Sequence, residues 1–342
     1  MKECLSYDDV LLVPQYSDIV SRHDVNISSR LGEMTLSLPL IASPMDSISE
    51  HRMGASMSNY GGTSVIHRYN TIEQQVQQVQ IARNLSNNPD PWIGAAIGIT
   101  GDYLDRAIAL KEARVSFVCL DVAHGHHIVM KEALRSLRKK FDSYLHLMAG
   151  NVATLKGIND LAEWGANSVR CNIGGGSICS TRVQTGHGMP GFQTLLDCSH
   201  TRKDIQIIAD GGIKNSGDIV KALAAGADIV MCGSLFAGTD ETPGQIFEEA
   251  DGTHWKTYRG MASKEAQLRW RGRYSSFEGV SARVPYRGSI EPILQDLERG
   301  IRSGFSYSGA RTLQELQQKA MFVKQTSSGL SESHTHITSR QW

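Results

Sequence analysis

Two hydrophobic periods alternate along the chain. Short, nearly continuous apolar runs recur at 38–43, 63–67, 93–99, 116–122, 145–151, 168–173, 205–209 and 229–231. Their length and β-branched content predict buried strands of a parallel sheet. Between them, segments 50–59, 71–82, 102–113, 128–141, 156–164 and 218–225 carry apolar residues at helical spacing. Thr71 and Glu73 can open the second helix at its first turn, and Gly165-Ala166 closes the one at 156–164. Roughly eight strand and helix alternations predict an α/β fold, a single (β/α)8 TIM barrel over 1–342. The doubly wound alternative has less support, because no G-x-G-x-x-G opens a helix after the first strand with an acid further on.

A barrel makes a positional prediction: functional residues lie just after the strand C-termini. Ser43-Pro44-Met45-Asp46, His67-Arg68, Asp121-Val122-Ala123-His124-Gly125, Gly150-Asn151, Asp210-Gly211-Gly212 and Gly233-Ser234 each follow an apolar run. A length of 342 residues suits one such domain. Lys+Arg and Asp+Glu are equal at 35 each, so no net field recruits nucleic acid or an anionic membrane. Apolar runs such as 93–99 are too short to cross a bilayer, and Met1-Lys2-Glu3-Cys4 carries charge where a signal peptide has an apolar core. The six cysteines sit apart with no CxxC pair, which points to a reducing, cytoplasmic compartment.

The densest chemistry is at 172–182. Gly174, Gly175 and Gly176 follow a strand and form a loop that backbone can bring close to a ligand. Cys179 stands in it among Ser177, Ser180, Thr181 and Arg182, surroundings that favour thiolate; the alternative is a small apolar cysteine in a glycine turn. Asp210-Gly211-Gly212 and Gly233-Ser234 end late strands, where barrels bind phosphate through backbone N–H groups. Asp210 would repel phosphate and suits ribose hydroxyls better, so a phosphorylated ribose is the economical ligand; glycines serving tight turns alone is the other reading.

Leu5-Ser6-Tyr7-Asp8-Asp9-Val10-Leu11-Leu12-Val13-Pro14, Gly150-Asn151-Val152-Ala153-Thr154, Gly176-Ser177-Ile178-Cys179-Ser180-Thr181-Arg182, Asp210-Gly211-Gly212, Tyr258-Arg259-Gly260-Met261 and Glu278-Gly279-Val280 together resemble the IMP dehydrogenase/GMP reductase family, from Leu5 to about His336. The resemblance implies a barrel with a mobile flap, a purine nucleotide across its mouth and a nicotinamide cofactor stacked on the base. It implies that Cys179 attacks purine C2 to form a covalent thioimidate. Dehydrogenases of the family then hydrolyse that adduct to XMP, whereas reductases form it by expelling ammonia from GMP and deliver hydride from NADPH to give IMP.

Three features lean toward reductase. Residues 80–93 leave no room for the paired CBS modules that dehydrogenases usually insert; the flap between Met261 and Glu278 is short; and Val118-Cys119-Leu120-Asp121-Val122-Ala123 resembles the reductase strand. Gly61-Gly62-Thr63-Ser64-Val65-Ile66-His67-Arg68, His124, the Arg273-Tyr274 pair and the tail Glu332-Ser333-His334-Thr335-His336 resemble dehydrogenases instead. The expected activity is NADPH-dependent reductive deamination of GMP. The alternatives are an IMP dehydrogenase without CBS modules, using NAD, and a catalytically silent nucleotide-binding regulator.

Residue by residue, the resemblance makes Thr181 and Glu278 the proton relay to the departing ammonia. It puts ribose on Asp210, phosphate on Gly233 and Ser234, and base contacts on Gly260, Met261, Ala262 and the segment with Ser275, Ser276 and Gly279, while Gly211 and Gly212, from their loop position, and Tyr258 complete the nucleotide site. Ser21, Arg22 and Arg68 would meet the far end of the dinucleotide, where arginines suit a 2′-phosphate. Asp121, Val122 and Ala123 would lie along its nicotinamide half. Ser306 and Tyr307 match cofactor contacts made across a subunit boundary, which implies a homotetramer. A potassium ion would rest on carbonyls of Gly174, Gly176 and Cys179, with Arg182 next along. The flap is expected at about 262–288 and a flexible tail at about 327–342. His124, His126 and His127 share one loop with no carboxylate or cysteine at ligand spacing, so zinc is not expected there.

Overall fold

The computed structural model describes residues 1–274 and 277–333. Eight parallel strands close into a barrel: β1 Leu40–Ala42, β2 Thr63–Ile66, β3 Ile93–Ile97, β4 Phe117–Asp121, β5 His146–Val152, β6 Ser168–Cys171, β7 Gln206–Asp210 and β8 Ile229–Cys232. Pairing of Val230 with Leu40 and of Met231 with Ile41 joins β8 to β1 and seals the ring. The barrel's own helices, in order, are α1 His51–Asn59, α2 Ile72–Leu85, α3 Tyr103–Glu112, α4 Ile128–Phe141, α5 Leu155–Glu163, α6 Gly191–Cys198, α7 Ser216–Ala224 and α8 Glu291–Tyr307. The (β/α)8 expectation holds.

The strands read as unbroken apolar runs because both of their faces are covered. Ile41, Val65, Ala96, Cys119, Met148, Ile208 and Met231 point into the barrel, while Leu40, Ala42, Ile66, Ala95, Val118 and Leu120 pack under the helices. A hairpin that the apolar pattern did not suggest, Ser29–Leu31 with Met34–Leu36, adds Leu31, Met34 and Leu36 to the inner cluster. It closes the N-terminal end of the barrel, where Gly32 N donates to Gln206 Oε1 at 3.0 Å. Thr71 caps α2 as expected, but Gln74 rather than Glu73 completes the cap. Only the third helical position reaches back: Thr71 Oγ1 accepts from Gln74 N at 3.2 Å and Gln74 Oε1 accepts from Thr71 N at 3.0 Å.

Only residues 86–92 separate α2 from β3, so no module is inserted there. The large insertion lies between β8 and α8. It is a three-stranded antiparallel sheet, Phe247–Glu248, His254–Arg259 and Ser281–Pro285, with a helix Lys264–Arg271 between its last two strands. The flap sheet thus begins upstream of the expected 262–288, because its closing strand needs His254–Arg259 as a partner. Val10–Leu12 pairs with Phe322–Lys324 and ties the two ends of the chain together. The segment expected as a flexible tail starts with a helix, Ser327–Glu332, and His334 and His336 lie outside the described residues. No helix among the described residues is long and apolar enough to cross a membrane.

Candidate active site

The C-terminal strand ends and the flap enclose one half-open cavity of about 280 Å³. Every barrel strand except β3 sends residues to it, directly or through the loop that follows, as the fold requires.

The cysteine loop follows β6 and is held from two sides. Cys179 N donates to Gly176 O at 3.0 Å within the loop. Across to the flap, Val280 N donates to Ile178 O at 3.0 Å and Ser180 N donates to Glu278 O at 2.9 Å. Gly279 permits this close approach: a Cβ there would stand 3.3 Å from Ser263 N and 3.5 Å from Ile178 O. The result is one continuous line of polar groups. The exposed Cys179 Sγ donates to Thr181 Oγ1 at 3.2 Å, and Thr181 Oγ1 donates to Glu278 Oε2 at 2.7 Å. The hydroxyl between them is buried and Glu278 is half-buried. Such a line can carry a proton between a carboxyl and a group bonded to the sulfur. Arg182 does not join it. Its Nη2 donates to Met189 O at 2.6 Å and it is not among the residues lining the cavity, so the thiol's polar neighbour is a hydroxyl and not the guanidinium expected from the sequence.

On the barrel floor, Arg170 of β6 crosses beneath the cavity. Its Nε and Nη2 donate to Asp210 Oδ2 at 3.0 and 2.8 Å, and its Nη1 donates to Asp121 Oδ1 at 2.6 Å. Burial alone would lower the guanidinium's pKa, but the two carboxylates and the Cys119 thiol outweigh it and raise it. Asn151 Nδ2 also donates to Asp210 Oδ2, at 2.8 Å. One Asp210 oxygen is therefore fully engaged, while Oδ1 accepts no hydrogen bond among the described residues and remains available for a ligand hydroxyl. Nearby, Asn151 Oδ1 and Asn172 Oδ1 are buried acceptors without a donor. An unengaged carboxylate oxygen on the cavity wall suits a sugar hydroxyl and not a phosphate.

Directly after Asp210 come Gly211 and Gly212, both with positive φ (+85° and +78°), and Gly233 and Ser234 line the same cavity from the end of β8. Tyr258 closes this end from the flap. Its hydroxyl lies 3.4 Å from Ser177 Oγ, and burial pushes its pKa up. Gly260, Met261 and Ala262 complete the wall, and the flap's foot is clamped by Arg259, whose Nη2 donates to Asp46 Oδ2 at 2.6 Å. Ser275 and Ser276 lie outside the described residues.

Arg68, Asp121, Val122 and Ala123 line the same cavity as Cys179. Arg68 Nη2 donates to the Asp121 carbonyl at 3.2 Å, and its buried Nε has no hydrogen-bond acceptor. That Nε instead faces the Asp121 carboxylate, with Oδ2 at 3.8 Å, so the two side chains form an ion pair on this wall of the cavity. Ser21, Arg22, Ser306 and Tyr307 do not reach this cavity. They sit together elsewhere, where the N-terminal segment packs on the end of α8: Gln15 N donates to Tyr307 O at 2.9 Å and Arg302 Nη1 donates to the Val25 carbonyl. Gly174, Gly176 and Cys179 line the cavity in one loop, and their carbonyls are the type of donor a monovalent cation takes; the Arg182 side chain has no acceptor atom, so only its main-chain carbonyl could serve. His126 Nε2 lies 2.7 Å from Asp160 Oδ2, His127 caps α4 by accepting from Val129 N, and burial first, then its histidine neighbours, lower the pKa of His124.

Tyr69 and Arg170 are cavity residues that the sequence did not single out, and Asn151 and Asn172, placed there by their loop positions, were given no role. A lone arginine inside an apolar strand was a usable signal for Arg170. The asparagines at strand ends were not distinguishable from turn formers.

The IMP dehydrogenase / GMP reductase domain family matches residues 4–336. An inosine-5′-monophosphate dehydrogenase of Cryptosporidium parvum is 36% identical over 384 positions, covering 97% of this chain and 94% of its own. One from Nitrosopumilus maritimus is 31% identical over 470 positions, covering 98% of each, so it carries segments that these 342 residues lack. Among solved structures, a cysteine-to-alanine variant of the GMP reductase of Trypanosoma brucei, in complex with guanosine 5′-monophosphate, superposes with a TM-score of 0.93 at 28% identity, covering 99% of both chains.

Proposed function

We propose that this chain, which belongs to the IMP dehydrogenase/GMP reductase family of purine nucleotide oxidoreductases, is a GMP reductase that converts GMP and NADPH to IMP, ammonia and NADP⁺. The observation that supports the reading best is the unbroken line from Cys179 Sγ through Thr181 Oγ1 to Glu278 Oε2, together with the absence of an inserted module between α2 and β3. Expelling ammonia from purine C2 needs a proton at the departing nitrogen, and a carboxyl relaying through a hydroxyl beside the nucleophile supplies one. Cys179 forms the thioimidate at C2 as the C–N bond breaks. Asp210 Oδ1 holds the ribose, and Gly211, Gly212, Gly233 and Ser234 hold the phosphate. When bound, NADPH supplies the hydride that ends at C2. Arg68 and Asp121, with Val122 and Ala123, orient it from the β2 and β4 side of the cavity, and potassium on the cysteine-loop carbonyls steadies the loop.

The dehydrogenase reading draws on the names of the curated relatives and on Arg273-Tyr274, which would have to activate water. Neither residue lines the cavity; Tyr274 instead packs 6.4 Å from the Phe277 ring centroid, with Lys264 Nζ 4.7 Å above it. Ser21, Arg22, Ser306 and Tyr307 would meet cofactor only in another copy's cavity, which supports a homotetramer, measurable as native mass. Six free cysteines suit a cytoplasmic enzyme. Purified protein with GMP and NADPH should lose reduced-cofactor absorbance. A rising band with IMP and NAD would establish dehydrogenase instead, and silence in both with tight GMP binding would indicate a regulator.

A further inference from the structure

Glu278 reaches Thr181 with the flap seated on the barrel, and three of the contacts between flap and rim bear most on that seating. Its foot is tied by the Arg259 and Asp46 ion pair, and its return strand pairs with the cysteine loop. The third contact is of another kind. The helix Lys264–Arg271 lies against the loop after β2, where the Trp270 and Tyr69 rings stack at 6.1 Å between centroids with 14° between planes. The Arg271 guanidinium stands 5.9 Å from the same Tyr69 centroid and the Arg68 guanidinium 5.6 Å from it. Arg271 makes no ion pair among the described residues, so ring stacking and cation–π attraction hold this end of the flap helix, beside the weaker attraction between Arg269 and Glu50.

Tyr69 is well placed to act as the fixed half. Its backbone N donates to His67 Nδ1 at 3.2 Å, and His67 Nε2 lies 3.2 Å from Glu50 Oε1, which anchors the loop to the barrel. The preceding residue, Arg68, is bonded to the Asp121 carbonyl, and Tyr69 itself lines the cavity. One face of the loop thus belongs to the active site and the other receives the flap.

We propose that Tyr69 and Trp270 form an aromatic latch that seats the flap and thereby holds Glu278 at Thr181, making Trp270 a positioning residue for proton delivery. The role in turnover rests on the reading of Glu278 as the proton donor; the seating itself does not. Because the contact joins the loop carrying Arg68 to the flap carrying Glu278, seating also couples the cofactor side of the cavity to the proton relay.

The test uses Trp270→Leu, Trp270→Phe, Tyr69→Leu and the Tyr69→Leu/Trp270→Leu double variant in the full chain. The first readout is tryptic cleavage after Arg271 or Arg273 under native conditions. Loss of the ring contacts should speed it by about tenfold or more in both leucine variants, with Trp270→Phe restoring slow cleavage and the double variant no faster than either single one. Cleavage elsewhere should stay slow, which separates a released flap from a destabilised barrel. The second readout is turnover with whichever pair the unaltered enzyme uses, GMP with NADPH or IMP with NAD. kcat should fall by about tenfold while the nucleotide KM stays within about twofold. Unchanged flap cleavage in both single variants overturns the latch. Faster cleavage with unchanged kcat overturns the positioning role of Trp270, since proton delivery would then not depend on seating, while the latch itself stands. Should neither substrate pair react, the reductase reading fails while the cleavage arm still decides the latch.

Discussion

Replacing Thr181 by valine deletes one oxygen and keeps the side chain's shape. That oxygen accepts from Cys179 Sγ at 3.2 Å and donates to Glu278 Oε2 at 2.7 Å, inside a site where the threonine itself is buried. Two effects then separate by size. If the hydroxyl only positions Glu278, the loss is one hydrogen bond to a charged group, about 1.5–3 kcal/mol, or roughly ten- to hundredfold in rate. If it carries the proton to the departing ammonia, general acid catalysis is lost as well, and kcat falls by about a thousandfold or more. We expect the larger figure. Stopped-flow absorbance of NADPH at saturating GMP measures it, with Thr181→Ser retaining most of the rate because it keeps the oxygen. A Thr181→Val/Glu278→Gln double variant should be no slower than Thr181→Val alone, since both cut the same line. A valine variant turning over within about threefold of the unaltered enzyme would refute the relay.

Cys179→Ala should abolish turnover while leaving GMP affinity, measured by calorimetry, within about tenfold, because the sulfur makes a bond in the reaction and not in binding. Arg170→Met should cost at most about 3–5 kcal/mol in chemical denaturation, since the half-buried Asp121 and Asp210 would lose their shared cation. His146, covered by the hairpin at the barrel floor, has its pKa lowered by burial to about 3. Its folded value lies below its unfolded one, so its contribution is complete above the unfolded pKa and is lost as pH falls toward 3. Between pH 7.5 and 5 the loss should reach at most about 2 kcal/mol, read as a fall in denaturation midpoint that His146→Gln flattens. An identical slope in the glutamine variant would show that another group titrates.

Apolar periodicity is a local property, and it was enough for the barrel. Strands buried on both faces read as unbroken runs, helices as one-sided stripes, and their alternation admits few closed arrangements. The loop positions of Cys179, Asp210 and Gly233 followed from that closure, and the motifs around them carried the family. What the sequence could not supply were contacts set by packing between distant segments. Arg170 is a strand residue like its neighbours until the closed ring brings Asp121 and Asp210 onto either side of it. The hairpin at the N-terminal end of the barrel and the first strand of the flap sheet are only three and two residues long, too short for their alternation to stand out in the sequence. Ser21, Arg22, Ser306 and Tyr307 gather away from the cavity because the N-terminal segment packs on α8, a contact no local pattern encodes. Thr181 and Glu278 stand 97 positions apart. Residue types at both ends were legible, but their hydrogen bond exists only where the flap's return strand pairs with the cysteine loop, and long-range backbone pairing is decided by the whole fold.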